Sequence, residues 1–188
     1  MMKKKYKGIM TAFILFCVFG VIVITVEAVS LKMNILRALA EQTQTDLVLS
    51  NSAVYKYIDK KALGEVEARV IINDYTAAYN EMKEYLIYNM DLSNNLTPKS
   101  DAIIKGPIEI KDFVIYNVKG DTVDVVTMRN GTFQVETKNK TLEKILTPNK
   151  YEINNTTVTT TIEMDIENMF GRVERQTISV DTDIVKKN

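Results

Sequence analysis

The residues of this chain best placed for chemistry are carboxylates that recur at alternate positions near its end: Glu163, Asp165 and Glu167, then Asp181 and Asp183. Clustered oxygen ligands suit calcium, and a carboxylate pair in a cleft that raises one pKa suits glycoside hydrolysis. The same alternation also describes the solvent face of a β-strand. Arg172 and Arg175 lie nearby, and a sheet face with basic neighbours is no cleft, so a solvated strand face is the expectation and a metal site is not. The chain contains no histidine and a single cysteine, Cys17. His-based triads and general bases are therefore excluded, as is a disulfide within the chain. The region beyond the first apolar stretch also lacks the usual nitrogen and sulfur ligands of zinc. Seven glycines are scattered singly, with no phosphate-cradling loop among them. Sequons at Asn95, Asn130, Asn139, Asn154 and Asn155 are what an Asn- and Thr-rich chain produces by chance. With no nucleophile–base pair, no enzyme activity and no cofactor are expected.

The elements that carry these residues begin with a membrane segment. Gly8 to Val26 is a run of 19 residues without a charge, twelve of them Ile, Leu, Val or Phe. At 1.5 Å rise per residue such a helix matches a hydrocarbon thickness of ~30 Å. Those twelve side chains contribute on the order of −4 to −7 kcal/mol to insertion. Lys3, Lys4, Lys5 and Lys7 precede the run and no acid does, which holds the N-terminus in the cytoplasm and exports the rest. Val26-Glu27-Ala28 is a passable signal-peptidase site, but the apolar run exceeds the 7–15 residues of a signal sequence. Phe16 is too bulky for a lipobox ahead of Cys17, which reads as a small apolar residue of the helix. Glu27, the first charge after the span, is either a carboxylate at the outer interface or a contact to a neighbouring subunit's helix. Residues 1–31 hold four lysines and one glutamate; the remainder carries 20 basic and 23 acidic residues, a net charge of −3. That leaves no electrostatic basis for binding nucleic acid.

Beyond the membrane, Ile35, Leu36, Leu39, Leu47, Val54, Tyr57 and Ile58 follow helical spacing, with Thr43 and Ser50 on the same stripe. No Pro or Gly interrupts Val21 to Leu63, which predicts one long helix with Gly64 as its first stop. A second helix follows Asp74, its apolar-aromatic stripe (Tyr75, Ala78, Tyr79, Met82, Leu86, Met90) being a packing face. Asp91 to Pro107 is turn-rich and reads as a connector. Strands are predicted over Ile108–Val118, Thr122–Met128 and Thr132–Thr137, with turns at Lys119-Gly120-Asp121 and Asn130-Gly131. Near the end, Val158, Thr160, Ile162, Met164 and Ile166 alternate with Thr159, Thr161 and three acids. Ile178, Val180, Thr182 and Ile184 alternate in the same way with polar partners. Folding the two antiparallel about Phe170 sets Ile162 against Ile178 on the inner face and Asp165 against Arg175 on the outer.

The expected fold is thus α+β: an N-terminal transmembrane helix continuing into a helical stalk, then a C-terminal antiparallel sheet of about five strands. Its expected divisions are a cytoplasmic tail (1–7), a transmembrane helix (8–31), an extracytoplasmic helical region (32–90), a linker (91–107) and an antiparallel β domain (108–188).

Three features resemble prepilins, and more closely the TadE-like pseudopilins of tight-adherence pili. Lys7-Gly8, at the start of the apolar run, looks like a prepilin-peptidase junction. Val23 to Gln42 is similar to the family's membrane exit, an acidic residue followed by a helix running outward. Thr159 to Val185 is similar to the sheet that ends those proteins. The likeness covers about a third of the chain. It departs from the family at Phe13, the fifth position after Gly8, where prepilins usually carry Glu. The resemblance implies a pilus or secretion-apparatus subunit, with Gly8 as the processing position and Glu27 as a helix contact. It implies membrane lipid and other pilin or secretion subunits as partners, through homo- or hetero-oligomers of the N-terminal helix. Two other readings fit the same layout: a single-pass scaffold of a conjugation or type IV secretion channel, and a membrane-anchored sensor or ligand-binding ectodomain with a pocket between stalk and sheet.

Overall fold

The computed structural model describes residues 2–64, 69–100, 103–129 and 131–183. It is an α+β protein in which a long N-terminal helix precedes a five-stranded antiparallel sheet. The chain divides into two compact units, Met1–Ala40 and Glu41–Asn188.

The first unit is helical throughout its described residues, within α1 (Met2–Ala53). Its apolar side chains are unburied: Phe13, Leu15, Phe16, Phe19, Val21 and Ile24 all stand exposed. The most apolar 18-residue window has a mean hydropathy of 2.7, and none of it is buried. One helix is therefore long and apolar enough to cross a membrane.

In the second unit, the end of α1 and the residue after it turn one stripe onto the sheet. Thr43, Leu47, Ser50, Asn51 and Val54 are buried, at the three-to-four spacing that places residues on one helix face. Ile35, on the same predicted stripe but in the first unit, is exposed. The helix stops ten residues before the predicted end at Gly64. Val54–Tyr57 tightens into a 3-10 turn and Ile58 becomes extended, pairing with Ile72. No helix breaker is present there. Tertiary bonds decide the stop instead: the Tyr55 hydroxyl donates to the Thr182 carbonyl at 2.7 Å, a partner the helical course would not offer. Gly64 does cap a helix, the one-turn α2 (Lys60–Leu63), whose N-cap Asp59 accepts from the Lys61 and Ala62 amides.

The helix α3 (Tyr75–Asn89) starts where predicted, with the Asp74 carboxylate accepting from the Ala77 amide at 2.9 Å. Its Ala78, Met82 and Leu86 are fully buried. Tyr79 packs edge-on against Phe113 and Phe133, so the apolar-aromatic stripe is a packing face.

The strands are β1 (Ile104–Lys119), β2 (Thr122–Arg129), β3 (Thr132–Asn139), β4 (Thr157–Glu167) and β5 (Val173–Asp183), in the spatial order β3-β2-β1-β4-β5. Strand β1 starts at Ile104, so the last residues of the predicted linker already belong to the sheet. Register shifts between Lys105 and Glu109 and between Ile110 and Asp112 bulge β1. The β1–β2 turn uses Gly120 at φ +65°. Asn130, half of the predicted Asn-Gly turn, lies outside the described residues, while Gly131 has φ +77°. The β4–β5 hairpin has the predicted register, with Ile162 opposite Ile178 and Asp165 opposite Arg175. At its turn the Asn168 side chain accepts from the Phe170 and Arg172 amides.

One face of the sheet carries the main core, where Leu47, Val54, Ile72, Met82 and Leu86 meet Phe113, Ile115, Val126, Val158, Ile162 and Met164. The other face differs from expectation. Thr159 and Thr161 are buried rather than facing solvent. The connector from β3 to β4, residues 140–156, crosses that face and packs Ile145 and Ile153 on Val114, Tyr116 and Val123. It folds back on itself between Leu146 and Glu152, with Lys150 at φ +64°.

Candidate functional site

The two residues singled out as functional from the sequence both lie in α1 and in the first unit. Gly8 belongs to the helix, but its surroundings lie outside the described side chains. Glu27 is exposed. Nineteen residues of helix separate them, about 28 Å at 1.5 Å per residue, so the structure does not bring them together. The uncharged run between them presents apolar side chains on all sides of the helix, the condition of a helix surrounded by lipid or by other helices.

The carboxylates near the C-terminal end form two separate groups, both on the connector side of the sheet. Around Arg175, its Nε lies 3.2 Å from Glu163 and 3.6 Å from Asp165, and its Nη2 lies 3.2 Å from Glu109. Lys111 sits 3.0 Å from Glu109 and 3.4 Å from Glu163, and Lys105 sits 3.2 Å from Glu167. The second group ties down the connector. Asp181 accepts from Thr159 at 2.6 Å, Thr147 at 2.8 Å and Asn149 at 3.0 Å. Asp183 accepts from Tyr151 at 3.0 Å and Asn155 at 3.2 Å. These carboxylates are paired with cations and hydrogen-bond donors of the same unit. Among the described residues, no three His, Cys, Asp or Glu side chains converge as metal ligands.

The buried polar groups that tie α1 and the segment before α3 to the sheet were not singled out in the sequence. Asn51, fully buried, takes the Thr160 hydroxyl on its Oδ1 at 2.5 Å. Its Nδ2 donates to the Val180 carbonyl and the Thr182 hydroxyl, each at 3.3 Å. Asn117, also fully buried, forms two 2.9 Å bonds with the backbone of Ile72, accepting from its amide and donating to its carbonyl. Thr156 accepts from the Val118 amide at 3.1 Å and donates to the Val70 carbonyl. A buried amide with every partner supplied fixes one arrangement, because any alternative leaves polar groups unpaired. The sequence signal is slight: Asn51 lies beside Ser50 on a stripe that already mixes Thr43 and Ser50 with Leu47 and Val54.

Two of the hollows among the described residues open to solvent. One, about 310 Å³, lies between the connector and strands β1 to β3, lined by Tyr116, Val125, Lys138, Glu143, Lys144, Ile145 and Leu146. Burial pushes the Tyr116 phenol up to about 12, with Asp181 and Asp112 adding to the effect. The other, about 280 Å³, lies beside Glu84, Tyr85 and Tyr88 of α3. Between the helices and the sheet, Leu47, Val54, Ile72, Met82, Leu86, Phe113 and Ile162 are among the fully or nearly fully buried side chains.

No protein-family model, no curated protein and no solved structure matches this chain. The chain combines an unburied apolar helix long enough to span a membrane with a helix-and-sheet unit whose C-terminal carboxylates pair with Arg175, Lys111, Lys105 and the connector.

Proposed function

We propose that this chain is a non-enzymatic, membrane-anchored extracytoplasmic subunit of a pilus or secretion apparatus, of pseudopilin-like type. The observation that carries this reading is α1 itself. Its first half is apolar and unburied, while its last turns carry Leu47 and Asn51 into the buried interior against the sheet. One uninterrupted helix thus serves both as anchor and as a structural element of the folded unit. The lysines ahead of the span favour a cytoplasmic N-terminus, so that the sheet domain of net charge −3 is exported. In this mechanism the apolar helix first anchors the subunit and then packs among neighbouring helices, with Gly8 as the processing position and Glu27 meeting an adjacent helix. The sheet presents the surface that other subunits contact.

A second reading, a single-pass scaffold of a conjugation or type IV secretion channel, draws support from the two register shifts in β1, since bulges bend the strand that carries them. Intact-mass measurement of the mature protein separates the two. Loss of residues 1–8 is the result expected of a pseudopilin. An unprocessed chain would remove that reading in favour of the scaffold.

A further inference from the structure

We propose that β3 is an interface for a second copy of this chain, the two β3 strands pairing antiparallel about Thr137 to form one continuous ten-stranded sheet. Two strands border the sheet, β3 and β5; β5 is exposed over Val173–Thr177 and covered over its second half. The Val180 and Thr182 carbonyls of β5 accept hydrogen bonds from Asn51 and Tyr55, and the connector is fastened to Asp181 and Asp183 of the same strand. Strand β3 is mostly exposed along its length, and Val135 is 54% exposed. Its register with β2 runs unbroken through eight pairs. Proline and bulges, which commonly blunt an open edge, are both missing from it.

The charges on β3 choose the partner and the register. Glu136 and Lys138 lie two apart and therefore on one face, with side chains 71% and 34% exposed and a long 3.7 Å contact between them. With both copies keeping their helices on the same side, pairing about Thr137 sets Glu136 of each copy opposite Lys138 of the other. Moving the two-fold axis by one residue sets Glu136 against Glu136 in one direction and Lys138 against Lys138 in the other. Like charges directly opposite are destabilising, so a second copy fits in this register and not in its neighbours.

The test uses the full chain in detergent with Cys17→Ser and Thr137→Cys. Residues directly opposed across an antiparallel pair have Cα separations of about 4.5 to 5.5 Å, within disulfide range. Oxidation is expected to give a disulfide-linked dimer. Adding Glu136→Lys should abolish it, and the charge-reversed pair Glu136→Lys with Lys138→Glu should restore it. A chain that stays monomeric, a link that Glu136→Lys leaves intact, or a reversed pair that fails to restore it would overturn the proposal. So would linking through Thr177→Cys on β5 in place of Thr137→Cys.

Discussion

Asn51 shows how much a single buried amide decides. It binds Thr160, Val180 and Thr182 at once, so Asn51→Ala leaves the Thr160 hydroxyl and the Val180 carbonyl short of partners in the core. A loss of about 2–4 kcal/mol is expected, read as a lowered denaturation midpoint of the full chain in detergent. Tyr116 predicts a pH effect. Burial is the main cause that raises its phenol from 10.0 to about 12, so the folded state keeps a proton that the unfolded state releases. The stability this contributes is present below pH 10 and is lost as pH rises from 10 towards 12. Tyr116→Phe should flatten the fall in midpoint across that window, and an unchanged slope would contradict the assignment. The sequence offered little warning of either residue. An asparagine beside Ser50 on an apolar stripe looks like a tolerated polar residue until the sheet that receives it is known.

At the scale of elements, what could be read from the sequence was whatever has a period. The alternation in β4 and β5 predicted Ile162 opposite Ile178, and the aromatic stripe of α3 predicted its packing face. Both describe the structure. Features without a period were not readable. The stop of α1 at Ala53 comes from partners distant in sequence, and the connector over residues 140–156 buries a row of threonines that alternation alone assigned to solvent. The faces of α1 make a direct test. Leu47→Ala, at a fully buried position, is expected to cost about 2–5 kcal/mol. Leu49→Ala, 51% exposed two residues on, should stay within about 0.5 kcal/mol. Equal costs at the two positions would contradict the packing of α1 on the sheet.

For the molecule as a whole, composition was informative about chemistry. Without histidine, and with its one cysteine at Cys17 in the apolar run, the chain is left with carboxylates, and the structure engages these with Arg175, Lys111, Lys105 and the connector. The roles proposed for Gly8 and Glu27 depend on a second protein, and no contact within this chain bears on them. The central claim is that α1 lies in a membrane with the sheet domain exported beyond it. Its most direct test is labelling of Cys17→Ser, Leu142→Cys on intact cells with a membrane-impermeant maleimide, Leu142 being 83% exposed on the connector. The membrane fraction is predicted to carry the label without permeabilisation. Label that enters only after lysis, or protein recovered in the soluble fraction, would contradict the account.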